Sequence, residues 1–279
     1  MTKSIITKIT ELILKKTKPK YMDSNKEVNL FLEKKEDNDF KTIFHTEYFK
    51  DMKLVSFTGK KNSVILYIHG GAYVNQLNIQ HSLYCLILNK LLKMDVILPA
   101  YPLTPKHEFR ESYELITELY IDLTKKYDDV IIMGDSAGGG FTLGFCQHLN
   151  HMNLKQPKNI IVFSPWVDVS MDNCVDNPND PILGKIGLTE IGKKWSDNDT
   201  KNYKVSPIYG DNHKLPRTLI IVGSNEIFFQ DVITYYEKLV DDDVDVKLIV
   251  GEDLFHIYPL FPIPEAINIL KEIKQEITL

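Results

Sequence analysis

The chain has 279 residues, with 33 Lys+Arg against 38 Asp+Glu and 43% hydrophobic residues. That length suits one large domain or two small ones, and it can bury a core without disulfide or metal staples. The ordinary apolar and charged fractions exclude wholesale disorder, and a net charge of -5 gives no general reason to bind nucleic acid or an anionic membrane.

The first twenty residues carry Ile5, Ile6, Ile9, Leu12 and Ile13 at helical spacing, interleaved with Lys8 and Glu11. They lack the unbroken apolar run and small-residue cleavage site of a secretory signal. No later run is long enough to span a bilayer, so no stable membrane insertion is expected. The pattern fits a helix on a membrane surface or one packed on the protein's own body, and the second is the expectation. Cys85, Cys146 and Cys174 are far apart and form no CxxC pair. This argues against a disulfide framework or a structural zinc and fits a reducing compartment, the cytoplasm.

The first fifty residues read as helices followed by a polar loop. Two strands then follow, over 42–47 and 52–57, joined by a short turn. Beyond them, short apolar runs at 64–68, 96–98, 130–133, 160–163, 219–222 and 246–250 alternate with helical stretches. Most runs are rich in β-branched residues and nearly lack polar alternation, as in strands buried on both faces. The helical stretches cover about 79–93, 108–126, 137–151, 231–240 and 263–277. Such alternation predicts crossovers over a mostly parallel sheet. Residues 170–206 break the rhythm, with no strand signal and one helix near 188–195. An insertion this long predicts a lid over a site. The expected organisation is therefore one α/β domain over 1–279, with residues 1–50 and 170–206 contributing a helical cap.

The sharpest motif is Gly134-Asp135-Ser136-Ala137-Gly138-Gly139-Gly140. It follows a strand and opens a helix, the setting of a nucleophile elbow. The glycines flanking Ser136 let strand and helix approach, and the helix N-terminus points N–H groups at developing negative charge. A P-loop fails for want of a following Lys-Ser or Lys-Thr, and the spacing misses GxGxxG. His69-Gly70-Gly71-Ala72-Tyr73 ends the strand at 64–68. The amides of Gly70, Gly71 and Ala137 are the expected oxyanion donors.

A serine nucleophile needs a base and an orienting acid, in the chain order Ser, Asp or Glu, His. His256 follows the strand at 246–250. His213 precedes a strand and so lies at the wrong end of the sheet. The acid should follow the strand at 219–222, which selects Glu226 over the more distant Asp231. Asp231 has an adequate role as a helix N-terminal carboxylate. His148 and His151 lack a third metal ligand. His69 is expected to brace the glycine turn. Tyr73, Tyr101 and Trp166 read as core, Asp135 as a helix N-terminal charge, and Asp241-Asp242-Asp243 as a solvated turn.

The HGGAY and GDSAGGG segments resemble those of the hormone-sensitive-lipase-type carboxylesterases of the α/β-hydrolase superfamily. Residues 101–109 (YPLTPKHEF) resemble that family's Tyr-Arg-Leu-Ala-Pro-Glu-His-x-Phe segment, and Ser164-Pro165-Trp166-Val167-Asp168 its Ser-Pro-Trp-x-Asp segment. The resemblance implies an α/β-hydrolase fold with an N-terminal cap. It also implies Ser136 as nucleophile, with Gly70, Gly71 and Ala137 as oxyanion donors. Four positions depart from the family pattern: Ala72 for the third glycine, Pro102 for arginine, Gly140 for asparagine, and Glu226 for aspartate. The expected activity is hydrolysis of a small-molecule ester through an acyl-enzyme, with no cofactor and no metal. The same constellation would serve an amidase, deacetylase or peptidase, and a hydrolase scaffold without catalysis could bind ligand in its pocket. Oligomeric state is not legible.

Overall fold

The computed structural model describes residues 3–36, 42–178 and 180–278. Residues 1–2 and 37–41 of the expected N-terminal cap stretch, and Asn179 of the insertion, lie outside the described residues.

Two helices come first, α1 (Ile5–Thr17) and α2 (Asn25–Lys34). The hairpin β1 (Thr46–Phe49) and β2 (Met52–Phe57) follows. The chain then alternates through β3 (Ser63–Ile68), α3 (Ile79–Leu92), β4 (Asp95–Pro99), α4 (Phe109–Lys126), β5 (Asp129–Asp135), α5 (Ser136–His151) and β6 (Asn159–Phe163). After the long insertion, which holds α6 (Lys185–Trp195), come β7 (Thr218–Gly223), α7 (Phe229–Asp241), β8 (Val246–Gly251) and α8 (Pro264–Thr278).

Among the described residues, the eight strands form one sheet in the order β1-β2-β4-β3-β5-β6-β7-β8. The pairs β1–β2 and β2–β4 are antiparallel, and every pair from β4 to β8 is parallel. Alternate strand residues separate two cores. Leu66, Ile132, Val162 and Ile220 pack with α4, α5 and α7 on one face. Tyr67, Met133, Phe163 and Ile221 pack with α3 and α8 on the other. The inner strands are buried on both sides, which is why their sequences are continuously apolar. This is an α/β-hydrolase architecture, as expected.

The first strand departs from expectation, running Thr46–Phe49 rather than 42–47. It is an edge strand with an exposed Tyr48, so burial imposes little pattern on it. The helix α1 also departs. It docks through polar groups: the Ser4 amide and the Thr7 hydroxyl donate to the Glu265 carboxylate at 2.8 and 2.6 Å. Leu14 packs against the α3/α8 core. Ile5, Ile6, Ile9, Leu12 and Ile13 are left exposed. The helix thus packs on the protein's own body, as expected, but through its polar stripe and Leu14 rather than through the apolar stripe.

The turn Lys20–Met22 and α2 pack against α6. Glycine makes this close approach possible. A Cβ on Gly184 would overlap Met22 and Asp23, and one on Gly187 would lie 2.6 Å from the Tyr21 carbonyl oxygen. Residues from both ends of the expected cap thus form one layer. Gly187→Ala should lower stability by about 1–3 kcal/mol, because backbone rather than a flexible side chain blocks the methyl group. Hydrogen exchange should accelerate in α2 and α6 and stay slow in β3 and β5. Uniform acceleration across the sheet would instead mean that the layer is not a separate packing unit.

Candidate active site

The parallel strands all end at one edge of the sheet, and the chemistry gathers there. Asp135 ends β5 and Ser136 opens α5 with a φ of 52°. This left-handed conformation is costly for a serine, and the packing around it holds it in place. A Cβ on Gly138 would overlap the Ile68 carbonyl oxygen, and one on Gly134 would lie 2.5 Å from the Gly138 carbonyl oxygen. Only glycine at both positions lets α5 sit this close to β3 and β5. The turn lifts Ser136 Oγ toward the loop after β8.

That loop carries His256. Its Nε2 lies 2.9 Å from Ser136 Oγ, and its Nδ1 lies 3.1 Å from Glu226 Oε1. A carboxylate accepts, so Nδ1 carries the proton and Nε2 is free to accept from the serine hydroxyl. All three residues are buried, with Ser136 retaining 5% exposure and His256 1%. Burial alone would depress the His256 pKa. The Glu226 charge and hydrogen bond more than offset this, so the imidazole titrates above its ordinary value.

Glu226 lies three residues beyond the end of β7. Its Oε2 accepts from the Ser164 hydroxyl at 2.6 Å and the Gly223 amide at 3.1 Å. Ser164 Oγ in turn accepts from the Ile257 amide at 3.0 Å. Ser164 therefore joins the carboxylate to the loop that carries the imidazole. It follows β6, which lies between β5 and β7, so the strand order places it there. The sequence reading did not assign it a site role, although it opens the Ser-Pro-Trp segment. The two loops are further tied by the Asn225 amide donating to the Leu254 carbonyl at 2.9 Å and the Asp253 amide donating to Ser224 Oγ at 2.7 Å.

The glycine turn after β3 requires a correction. The Gly70 amide donates to Asp135 Oδ1 at 3.0 Å, so it is already committed and cannot face a bound oxyanion. Gly71, Ala72 and Tyr73 have φ values of 118°, 53° and 58°. This run of left-handed residues breaks the extended course of β3 and reverses the chain, as the Val74 and Asn75 amides donating back to the Gly71 carbonyl show. Among the described residues, no hydrogen bond occupies the amides of Gly71 or Ala72. Ala137, second in α5, has no intrahelical acceptor for its amide.

Asp135 does more than charge a helix end. Its buried carboxylate also accepts from Tyr67 Oη at 3.0 Å and faces His81 Nε2 at 3.4 Å. The Asn78 amide donates to His81 Nδ1, which leaves the proton on Nε2. Burial would raise the Asp135 pKa, but His81, Gly70 and Tyr67 together hold it below the usual carboxylate range. His69 braces the turn as expected: its Nδ1 lies 2.6 Å from the Gly70 carbonyl oxygen, and its ring stacks on Tyr101. Burial drives its pKa down to about 3, so it stays neutral. His148 and His151 contact Tyr203 instead of sharing a metal-like cluster.

An aromatic chain links the site to α6. Trp195 of α6 stacks on Tyr73 at 4.4 Å, Tyr73 on Trp166 at 5.6 Å, and Trp166 on Phe228 at 5.7 Å. Phe228 meets the His256 ring edge-on at 5.3 Å. Tyr73 Oη also donates to the Ala137 carbonyl at 2.7 Å.

This fold and constellation define an α/β hydrolase, and comparison with known proteins agrees. Residues 65–260 match the alpha/beta hydrolase fold family, so the chain belongs to that family. An esterase of Acinetobacter venetianus is 30% identical over 223 residues, which cover 76% of this chain and 73% of that protein. The crystal structure of a hormone-sensitive lipase from a metagenome library superposes with a TM-score of 0.82 at 25% identity, covering 99% of both chains. An esterase of the bacterial hormone-sensitive lipase family also superposes with a TM-score of 0.82, at 22% identity, covering 99% of this chain and 98% of the other.

Asp231 has no hydrogen bond to His256; it lies in the first turn of α7, as expected of a helix N-terminal carboxylate, but makes no capping hydrogen bond. The N-cap of α7 is Phe228, and Asp231 lies buried in the first turn with Oδ2 unpartnered. Burial and the nearby Asp168 charge push its pKa up to about 6. The sign follows from linkage. A carboxyl whose folded pKa exceeds the unfolded value of about 3.9 costs stability as pH rises from about 4 through 6, and the cost persists above that. Asp231→Asn should therefore gain stability relative to the parent at pH 8 compared with pH 4, by about 1–2 kcal/mol after discounting for partial solvent screening. Thermal unfolding at the two pH values measures this. An equal effect at both would mean that Asp231 is not held ionised at a cost.

Proposed function

We propose that the protein is a serine hydrolase of carboxylic esters in which Ser136 is the nucleophile, His256 the base and Glu226 the orienting acid. It hydrolyses small-molecule esters through an acyl-enzyme. The observation that carries this reading is the buried hydrogen-bonded run from Ser136 Oγ through His256 to Glu226, on a chain of this family.

His256 takes the hydroxyl proton as Ser136 Oγ attacks the ester carbonyl. Glu226 stabilises the imidazolium that forms. The amides of Gly71, Ala72 and Ala137 hold the oxyanion. Each such donor is worth about 3–4 kcal/mol to the transition state. The imidazolium then protonates the departing alcohol. Water attacks the acyl-enzyme, with His256 again accepting a proton. Ser164 positions the acid against the base. The layer of α2 and α6 acts as a cap, and its contact through Trp195 and Tyr73 makes it the seat of acyl preference. Three buried, unpaired cysteines favour a reducing compartment such as the cytoplasm. Among the described residues, no helix is long and apolar enough to cross a membrane.

Ser136→Ala should abolish hydrolysis of p-nitrophenyl butyrate without lowering the melting temperature. Retained turnover in a folded variant would end the serine-hydrolase reading. Glu226→Gln should reduce kcat about a thousandfold or more, because the amide favours the wrong imidazole tautomer.

Because only neutral imidazole serves as base, kcat/KM should fall as pH drops through the His256 titration, with its midpoint above the ordinary histidine value of about 6.5. In Glu226→Gln the residual rate should show a lower midpoint, since the charge that raises the pKa is gone. A rate flat down to pH 5 would argue against a histidine base.

A further inference from the structure

The helix α1 is built in an unusual sense. Its polar stripe faces the protein and its apolar stripe faces out. Ser4 and Thr7 bind Glu265, and Thr7 is fully buried. Ile5 is 76% exposed and Leu12 61%, with Ile6, Ile9 and Ile13 each more than half exposed. At 3.6 residues per turn these five side chains fall within about 120° of the helix surface.

The apolar surface continues beyond the helix. Ile6 forms one wall of a groove of about 770 Å³ whose other walls include Leu83 and Ile87 of α3 and Ile267 and Leu270 of α8. Ile79, Leu83, Ile87 and Ile267 are themselves well exposed. Residues 259–264, which close the groove, follow directly on the loop that carries His256. A contiguous apolar surface of this kind marks an interaction site.

Charge identifies the occupant. Residues 1–20 hold six lysines and one glutamate, a net of +5, which leaves the rest of this acidic chain at -10. Glu11 is paired with Lys3, and Lys18 with Asp23. Lys8, Lys15 and Lys16 are exposed and have no acidic partner among the described residues. Lys8 and Lys15 fall along one border of the apolar stripe, and Lys16 lies at its C-terminal end.

We propose that this face binds reversibly to an anionic lipid surface, with α1 lying in the plane of the interface. Its isoleucines would enter the headgroup–acyl boundary by about 5–10 Å, while Lys8, Lys15 and Lys16 meet lipid phosphates. A second copy is the poorer occupant. A two-fold pair would bring Lys8, Lys15 and Lys16 of each helix toward the same lysines of its equivalent, at a repulsive cost. The apolar stripe alone would suit either partner, and the lysines decide between them.

Flotation of the purified full chain with vesicles tests this. One set is phosphatidylglycerol mixed with phosphatidylcholine, and the other is phosphatidylcholine alone. The protein should float with the anionic set at about 0.1 M salt and be largely released at 1 M. Lys8→Glu/Lys15→Glu should weaken that binding more than tenfold, as about 1 kcal/mol per surface lysine implies. Ile9→Ser/Leu12→Ser should abolish it. Both pairs are exposed, and circular dichroism verifies that the fold is kept.

Three outcomes would overturn the proposal. The protein could fail to bind anionic vesicles. It could bind equally to both lipid sets. Binding could also survive in both variants. A concentration-dependent dimer lost in Ile9→Ser/Leu12→Ser, without vesicle binding, would assign the face to a second copy.

Discussion

The close approach of α5 to the ends of β3 and β5 is the constraint on which the rest of the site depends. With no side chain at Gly134 or Gly138, the helix starts hard against the Ile68 carbonyl, and Ser136 is forced to a φ of 52°. The same contact decides where the N-terminus of α5 points and which amides stay unpaired. Burial of both sheet faces supplies the driving force, at roughly 25 cal/mol for each Å² of apolar surface removed from water. The local strain of one serine, about 1–3 kcal/mol, is small against that.

Two buried carboxylates then organise the loops around the turn. Asp135 gathers the glycine turn, Tyr67 and His81 on one side of Ser136. Glu226 gathers Ser164, the Gly223 amide and His256 on the other. Each is surrounded by donors, the condition under which a buried charge is tolerated. Removing one partner from such a group leaves the others facing an unsatisfied atom, so the loops are fixed as sets rather than singly. The aromatic chain from His256 to Trp195 extends this fixed region into the layer of α2 and α6.

Much of this was legible in the residues, and what was not has physical reasons. The inner strands read to within two residues of their ends because both faces are buried and their apolar runs are unbroken. Ser136 and His256 stood out through spacing and chain order, and Glu226 through its distance from a strand end. Gly70 was misjudged because a backbone amide's acceptor cannot be seen in sequence; Asp135 lies 65 residues away. Ser164 was missed for a similar reason, since its two partners come from different loops. Asp231 looked like a helix cap because position was visible and burial was not. The periodicity of α1 was read correctly, but periodicity fixes an apolar stripe without saying which way it faces.

The central claim is that the buried run of Ser136, His256 and Glu226 makes this one serine the nucleophile of an ester hydrolase. Its most direct test is covalent labelling with a fluorophosphonate, followed by peptide mass mapping. The account predicts one adduct per chain, on Ser136, formed orders of magnitude more slowly when His256 is replaced by alanine. An adduct on another serine, or an unreactive Ser136 in a folded protein, would contradict it.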